Sequence, residues 1–367
     1  MSIFWQKTAF MSMLNSDFFS TFYLHYGLLA IFVFSVPFLI TVLNINKKWR
    51  LLFPPIKNAS WEGAIPQFRQ EVVPQLTRGG IECPYEYILQ VYGRCHFKKL
   101  VNILDPTLEA RDPGLFRFIL ELLDSVHFGA ILVDDVADNS ILRKGKPAAH
   151  HVYGTSETIN RAYLRLLEMI DICIKQRPSM IPYILDNLTQ IHKGQDISLV
   201  WRRDGFPDFP DREQALAAYR QSAYLKTGAL FRLCGQLVFG SREKDELMSQ
   251  LGWFCHLQND CKNIYSTDVT SAKGVLAEDL KNGEYSFPIV LAIHASPTAN
   301  TIIKEIFRGR RESSATRNEQ IRDALTILYS SEIKSACMAE LELLKDKVSP
   351  FVTVWGRQEN MNLGSGF

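Results

Sequence analysis

The chain has 367 residues, 47% of them hydrophobic and 22% charged, which is enough apolar material for one large core or two modest ones and excludes a wholly disordered chain. A formal net charge of +2, with no basic stripe carrying interleaved aromatics, excludes a general nucleic-acid binder. Seven scattered cysteines, odd in number and without CxxC spacing, exclude a zinc site and a disulfide framework and point to reduced thiols in a cytosolic setting.

From Phe18 to Val42 the chain is apolar apart from His25 and a few hydroxyls, long enough to cross a hydrocarbon core of about 30 Å as a helix. Tyr23 and Tyr26 stand toward one end, where interfacial aromatics sit, and Lys47, Lys48 and Arg50 follow the segment. The expectation is an N-terminal transmembrane helix (about 18–42) within a membrane anchor spanning 1–50. The positive-inside rule then puts everything after residue 50, the domain 51–367, on the cytoplasmic face, with the endoplasmic reticulum surface as the expected location. A cleaved signal peptide fits poorly, because the apolar run is too long and no small-residue cleavage site follows it. A helix buried on the domain or in a dimer is the alternative, to which Pro37 gives weight.

Residues 51–61 (LLFPPIKNASW) read as a linker with paired prolines. Beyond it, apolar positions recur at three- and four-residue spacing over Leu115–Asp138, Ser156–Cys173, Ile181–Leu199, Arg212–Val238, Lys244–Ile264, Phe287–Ala295 and Gln320–Leu344. No alternating run bounded by hairpin turns stands out, so the predicted fold class is all-α, a helical bundle whose cavity lies between helices. Trp201 to Asp204 read as a loop lid or solvated corner with no assignable role. His150 and His151 read as packing residues.

Two of these helices end in oxygen-rich turns. The first runs into Asp134-Asp135-Val136-Ala137-Asp138 and is followed by Arg143 and Lys144. A helix puts Asp134 and Asp138 one turn apart on one face with Asp135 beside them. Close like charges repel by roughly 1 to 4 kcal/mol per pair, so a cation belongs between them. Mg2+ takes one or two carboxylates plus substrate phosphates, and the two cations that follow suit a diphosphate. The alternative is a solvated acidic helix end. The second run, Leu251 to Asn263, ends in Asn259-Asp260-Cys261-Lys262-Asn263, whose amide and carboxylate oxygens also suit Mg2+.

Together with Lys226-Thr227-Gly228 and Lys273-Gly274, these two breaks make a pattern similar to the trans-prenyltransferase family of isoprenyl diphosphate synthases, most closely its geranylgeranyl diphosphate synthase branch. Further blocks occur in the right order. Pro84 to Tyr87 precedes the position of the family's PGKxxR segment, and His127 stands seven residues before Asp134, where the family has a substrate-binding His or Gln. Arg143 to Gly154 (RKGKPAAHHVYG) matches RRGxPxAHxxYG, and Ala277 to Pro288 matches AEDLxxGxxSFP. The resemblance covers roughly Pro84 to the C-terminus.

It implies an isoprenoid synthase-type bundle with a central prenyl cavity, working as a homodimer with Mg2+, three ions with bound diphosphate. Asp134, Asp135 and Asp138 would hold metal on one helix and Asn259, Asp260 and Asn263 on the other. Arg143, Lys226, Thr227 and Lys273 would bind the diphosphate of an allylic prenyl donor, with Asp134, Asp138 and Lys226 as the catalytic core. Ionisation then leaves an allylic cation, and the released diphosphate can take the final proton. The family uses bulky aromatics to stop the chain where this sequence has Gly129 and Ala130, which implies room for a C20 tail; ordinary close helix packing would also explain them.

The chain departs from the family's acceptor pattern. Phe97 stands where the family has the Arg of its GKxxR, Lys144 replaces the second Arg of RRG, Asn259 replaces Asp, His256 replaces Gln, and Glu284 stands where a Lys often sits. Retained donor machinery with an altered acceptor pocket resembles the fungal indole diterpene prenyltransferases, which transfer a geranylgeranyl group to indole-3-glycerol phosphate. That resemblance implies an indole acceptor, with Phe97 as an aromatic wall and Arg94, His127 and Lys144 on its phosphate. Phe97 as a plain core residue is the alternative. The competing functions are a geranylgeranyl diphosphate synthase using isopentenyl diphosphate, an inactive partner subunit, and a terpene cyclase.

Overall fold

In the computed structural model, which describes residues 83–266, 277–309 and 315–356, helices follow one another with almost no strand. Helix α1 (Pro84–Tyr92), α2 (Lys98–Leu104) and the single turn α3 (Leu108–Arg111) precede the long α4 (Pro113–Asp138). Asp112 caps α4 by accepting the Leu115 amide, and Pro113 fits its first turn, where an amide would lack a partner. The helix stops at Asn139, whose left-handed φ of 53° closes it two residues before a two-strand ladder, β1 (Leu142–Arg143) against β2 (Lys146–Pro147).

Helices α5 (Ala149–Tyr153), α6 (Thr155–Gln176) and α7 (Ile181–Asp204) follow, with α6 packed along α4. The predicted helix Arg212–Val238 is divided into α8 (Arg212–Ala223), a π-turn (Tyr224–Gly228) and α9 (Ala229–Phe239). Next come α10 (Asp245–Tyr265), α11 (Glu278–Asn282), α12 (Phe287–Ile293), α13 (Pro297–Arg308), α14 (Ala315–Leu328) and α15 (Ser331–Gly356). The predicted run Gln320–Leu344 is thus two helices, broken at Tyr329 and Ser330.

The core is continuous through the bundle, from Leu122 and Leu123 on α4 to Leu233 on α9, Trp253 and Leu257 on α10, and Leu341 on α15. A smaller cluster of Ile88, Phe128, Leu132, Ala149 and Ala162 ties α1 and α5 to the outer side of α4 and α6. The all-α expectation holds among the described residues, apart from the ladder at Leu142–Pro147.

The expected location, a domain anchored to a membrane by one N-terminal helix, is corrected. Among the described residues no helix is long and apolar enough to cross a membrane. On α4, for example, Arg117, Glu121 and Asp124 put three charged residues into two turns of the apolar run. The segment about 18–42, the linker 51–61 and the boundary at residue 51 lie outside the described residues.

Candidate active site between two helix tips

A cavity of about 540 Å³ opens between α4, α6, α7, α9 and α10, a size ordinary for a small-molecule site. Asp134 and Asp138 from α4 and Asn259 and Asp260 from α10 all line it, so the two predicted oxygen-rich tips face one space. Arg143 and Lys226 line it too.

The three aspartates of α4 do different things. Asp135 is fully buried and its Oδ1 accepts from Nε and Nη2 of Arg143, which it holds at the cavity wall. Burial raises the Asp135 carboxyl against the pull of that guanidinium, while Asp135 raises Arg143 against burial. Asp134 Oδ1 accepts from Gln195 Nε2 at 3.2 Å. Asp138 Oδ1 accepts from Arg202 Nη1 at 2.5 Å. The Asp138 carboxyl stands well above the usual range, through burial first and then Glu284 and Asp134, opposed by Arg202 and Lys226.

On α10 the Asn259 side chain is exposed to the cavity, whereas Asp260 is buried and engaged. Its Oδ2 accepts from the Tyr219 hydroxyl at 2.5 Å and the Phe287 amide at 3.0 Å. Asn263 is turned away from the cavity, with its Oδ1 accepting the Asp279 amide at 3.3 Å.

The π-turn seats Lys226 and Thr227 between α7 and α10. It fits because its neighbours there are glycines: a Cβ on Gly194 would lie 2.7 Å from the Lys226 nitrogen, and one on Gly252 2.7 Å from Gly228 Cα. Lys226 Nζ lies 3.9 Å from Glu284 Oε1. Burial opposes its charge, but Asp134, Glu284, Asp138 and Asp260 outweigh that and raise its pKa. Glu284, pushed up to about 7 by burial and by Asp134 and Asp279 against Lys226 and Arg202, shares the cavity. Lys273 lies outside the described residues.

At the other end of the cavity the wall is built of rings. Phe97, 2% exposed, stands edge-on to His127 at 5.6 Å, and His96 stacks on His127 at 5.1 Å and 13°. Burial first, then His96, Arg143 and Lys144, lowers His127 to about 3, so its imidazole is neutral. The Lys144 ammonium sits 4.2 Å over the Tyr92 ring. Arg94, 66% exposed, pairs with Glu86 at 2.5 Å and is not among the cavity-lining residues. Gly129 and Ala130 line the cavity beside Ala162 and Leu166.

Arg202 escaped the sequence reading. Helix α7 runs five residues past the predicted end at Leu199, and the extra turn converts the expected corner into an arm over Asp138. The usable signal was spacing: Gln195 and Arg202 are seven residues apart, two turns on one helix face.

Asp134, Asp138, Asn259 and Asp260 form a hard-oxygen donor set fit for a divalent cation that keeps its waters and takes substrate oxygens. The carboxyls of Asp138 and Glu284 are raised by burial first and then by neighbouring carboxylates, against the pull of Lys226 and Arg202. Among the described residues no three His, Cys, Asp or Glu side chains form a group that could hold a metal ion by themselves.

The profile of the polyprenyl synthetase family matches residues 80–325. The prenyl transferase ptmC of Penicillium ochrochloron is 43% identical over 286 residues, 78% of this chain and 81% of that one. The prenyl transferase nodC of Hypoxylon pulicicidum is 41% identical over 336 residues, 91% of this chain and 97% of that one. A polyprenyl synthase from Caulobacter crescentus CB15, solved with calcium and isoprenyl diphosphate, superposes with a TM-score of 0.60 at 18% identity, over 81% of this chain and 89% of that one, and shares the fold.

Proposed function

The chain belongs to the polyprenyl synthetase family and is a prenyltransferase, and from that premise we propose that it moves a geranylgeranyl group from geranylgeranyl diphosphate to indole-3-glycerol phosphate, giving 3-geranylgeranylindole. The observation that carries the acceptor half is Phe97: an aromatic ring, buried against neutral His127 and stacked His96, stands where a second diphosphate would need a guanidinium. An edge-lined slot of rings favours a flat, electron-rich acceptor over a second pyrophosphate ester.

Asp134, Asp138, Asn259 and Asp260 would hold Mg2+ by their oxygens, and the ion would supply positive charge toward the donor's leaving diphosphate. Arg143 and Lys226 bind that diphosphate; Asp135 keeps Arg143 aimed at it, and the π-turn keeps Lys226 extended into the cavity. The rings then hold the indole so that its C3 bonds to C1 of the allylic group as the C1–O bond to diphosphate breaks. C3 already carries the glycerol phosphate side chain, so the C3–side-chain bond breaks in turn, and the side chain leaves as glyceraldehyde 3-phosphate while its hydroxyl proton passes to the released diphosphate. Gly129 and Ala130, with no bulk below Asp134, support a C20 donor. Leu167 and Ile174 on α6, 61% and 55% exposed, support pairing with a second copy of the chain.

The deciding experiment supplies the protein with Mg2+ and geranylgeranyl diphosphate plus indole-3-glycerol phosphate, and separately with farnesyl and isopentenyl diphosphates. Consumption of the first pair alone is expected. Consumption of the second pair alone assigns a geranylgeranyl diphosphate synthase instead.

A further inference from the structure

His256 lies at the centre of a hydrogen-bonded line that joins the two halves of the donor site. Its Nδ1 is 2.9 Å from the Thr227 hydroxyl on the π-turn, and its Nε2 is 3.1 Å from the Tyr219 hydroxyl on α8. Tyr219 in turn donates to Asp260 Oδ2 at 2.5 Å. The ring is fixed from behind by Trp253, stacked at 6.1 Å and 26°.

For a neutral imidazole, proton counting along this line allows one arrangement. Tyr219 has a single hydroxyl proton, and it is donated to Asp260 Oδ2. The Tyr219 oxygen is then an acceptor toward His256, so Nε2 carries the hydrogen. Nδ1 of the neutral ring is left as an acceptor, and the Thr227 hydroxyl fills it.

We propose that His256, protonated on Nε2, is a positioning residue that sets the π-turn through Thr227 and the Asp260 carboxylate through Tyr219, coupling the diphosphate-binding lysine to the second metal-binding helix. One consequence concerns Thr227 itself. Its proton is committed to Nδ1, so a diphosphate oxygen, also an acceptor, gains nothing from that hydroxyl; Thr227 acts by holding Lys226 in place. A glutamine at 256 preserves the pattern, since its carbonyl accepts from Thr227 and its amide donates to Tyr219, whereas leucine breaks both contacts.

The inference rests on the donor half of the proposed reaction and not on the acceptor. The test uses the full chain labelled with 15N-histidine, with the His256 signals identified by their loss in His256→Gln. Nitrogen shifts showing a protonated Nε2 and a bare Nδ1 at neutral pH are expected, and a protonated Nδ1 overturns the proposal. In kinetics, His256→Leu is expected to lower kcat/KM for geranylgeranyl diphosphate about tenfold and to raise the half-saturating Mg2+ concentration, with His256→Gln recovering most of both. Thr227→Val combined with His256→Leu is expected to be no worse than the worse single variant, because both cut one line. Full additivity, or a glutamine variant as impaired as leucine, also overturns it. The ring-nitrogen measurement needs no variant to be active, and a switch of acceptor to isopentenyl diphosphate would leave it unchanged and only move the kinetic readouts to farnesyl diphosphate as donor.

Discussion

Arg202 Nη1 reaches across the mouth of the cavity to within 2.5 Å of Asp138 Oδ1, with the two side chains only 13% and 10% exposed. Without that guanidinium, only Lys226 still opposes burial, Glu284 and Asp134, which favour the protonated acid. A metal ion must then displace a proton. Arg202→Leu is expected to raise the Mg2+ requirement and to lower kcat/KM by about ten- to a hundredfold, a discounted share of the cost of breaking a buried pair. The deficit should deepen as pH falls from 8 to 6.5. Arg202→Lys should recover part of it, as a point charge in place of a fork. Metal titrations of the three proteins check this, and an unchanged Mg2+ dependence in Arg202→Leu removes Arg202 from the site.

Gly252 and Gly129 make a controlled pair. An alanine methyl at 252 would meet Gly228 Cα at 2.7 Å and the Thr227 carbonyl at 3.0 Å, both backbone, so the π-turn itself must move. Gly252→Ala is expected to cost about 1–3 kcal/mol of stability and to take donor turnover down with it, because Lys226 rides on that turn. At Gly129 the nearest atom to an added methyl is the Ala162 carbonyl at 3.6 Å, an ordinary contact. Gly129→Ala should therefore leave both quantities close to the parent's. Denaturant unfolding and steady-state kinetics on the two variants separate the cases.

These residues also show where the sequence was readable. Asp134 and Asp138, and Asn259 and Asp260, could be read as two oxygen-rich helix ends because each pair closes an apolar helical run; that the two ends share one space was implied by the family resemblance. Arg202 could not, since its partner lies 64 residues away and the polar string after Leu199 looks like the end of a helix. The π-turn left no mark because one extra residue in a turn barely alters apolar periodicity across Arg212–Val238. Asp135 and Asn263 share the motifs but not the cavity: the first is taken by Arg143 and the second by the Asp279 amide, and only tertiary contacts decide which motif oxygen faces inward.

Glu284 gives the metal-free protein a distinctive pH response. Its pKa in the fold is about 7, raised by burial first and then by Asp134 and Asp279, against an ordinary value of 4.5. A carboxyl raised on folding binds its proton more tightly in the native state. Its stabilising contribution is therefore complete below about 4.5 and is lost as pH rises through about 7. Glu284→Gln lacks this titration. Relative to the variant, the parent should lose melting temperature as pH is raised from 5 to 8 without metal. The comparison cancels the opposing titration of neutral His127 and His256, which are shared by both proteins. Parallel melting curves across that range would falsify the assignment of a raised carboxyl to Glu284.

Phe97→Arg tests the acceptor wall by restoring the charge that the ring excludes. The ring packs against His96 and His127, and also Phe231 at 6.2 Å, in surroundings already poor enough in water to hold His127 neutral. The Asp124 carboxylate at this corner is already engaged by the Cys95 and His96 amides, so a buried guanidinium at 97 should destabilise the free variant, and inorganic diphosphate should stabilise it more than the parent. Transfer to indole-3-glycerol phosphate should drop about tenfold or more, while use of isopentenyl diphosphate should appear or increase. Phe97→Leu separates shape from aromaticity: it keeps the bulk, introduces no charge, and should weaken indole transfer by about three- to tenfold with no gain of the second substrate, the size of one aromatic edge contact. Product analysis with both acceptors present reads all three proteins at once. If Phe97→Arg transfers to indole as well as the parent and still ignores isopentenyl diphosphate, the ring at 97 is core packing, and the acceptor must be recognised elsewhere in the cavity.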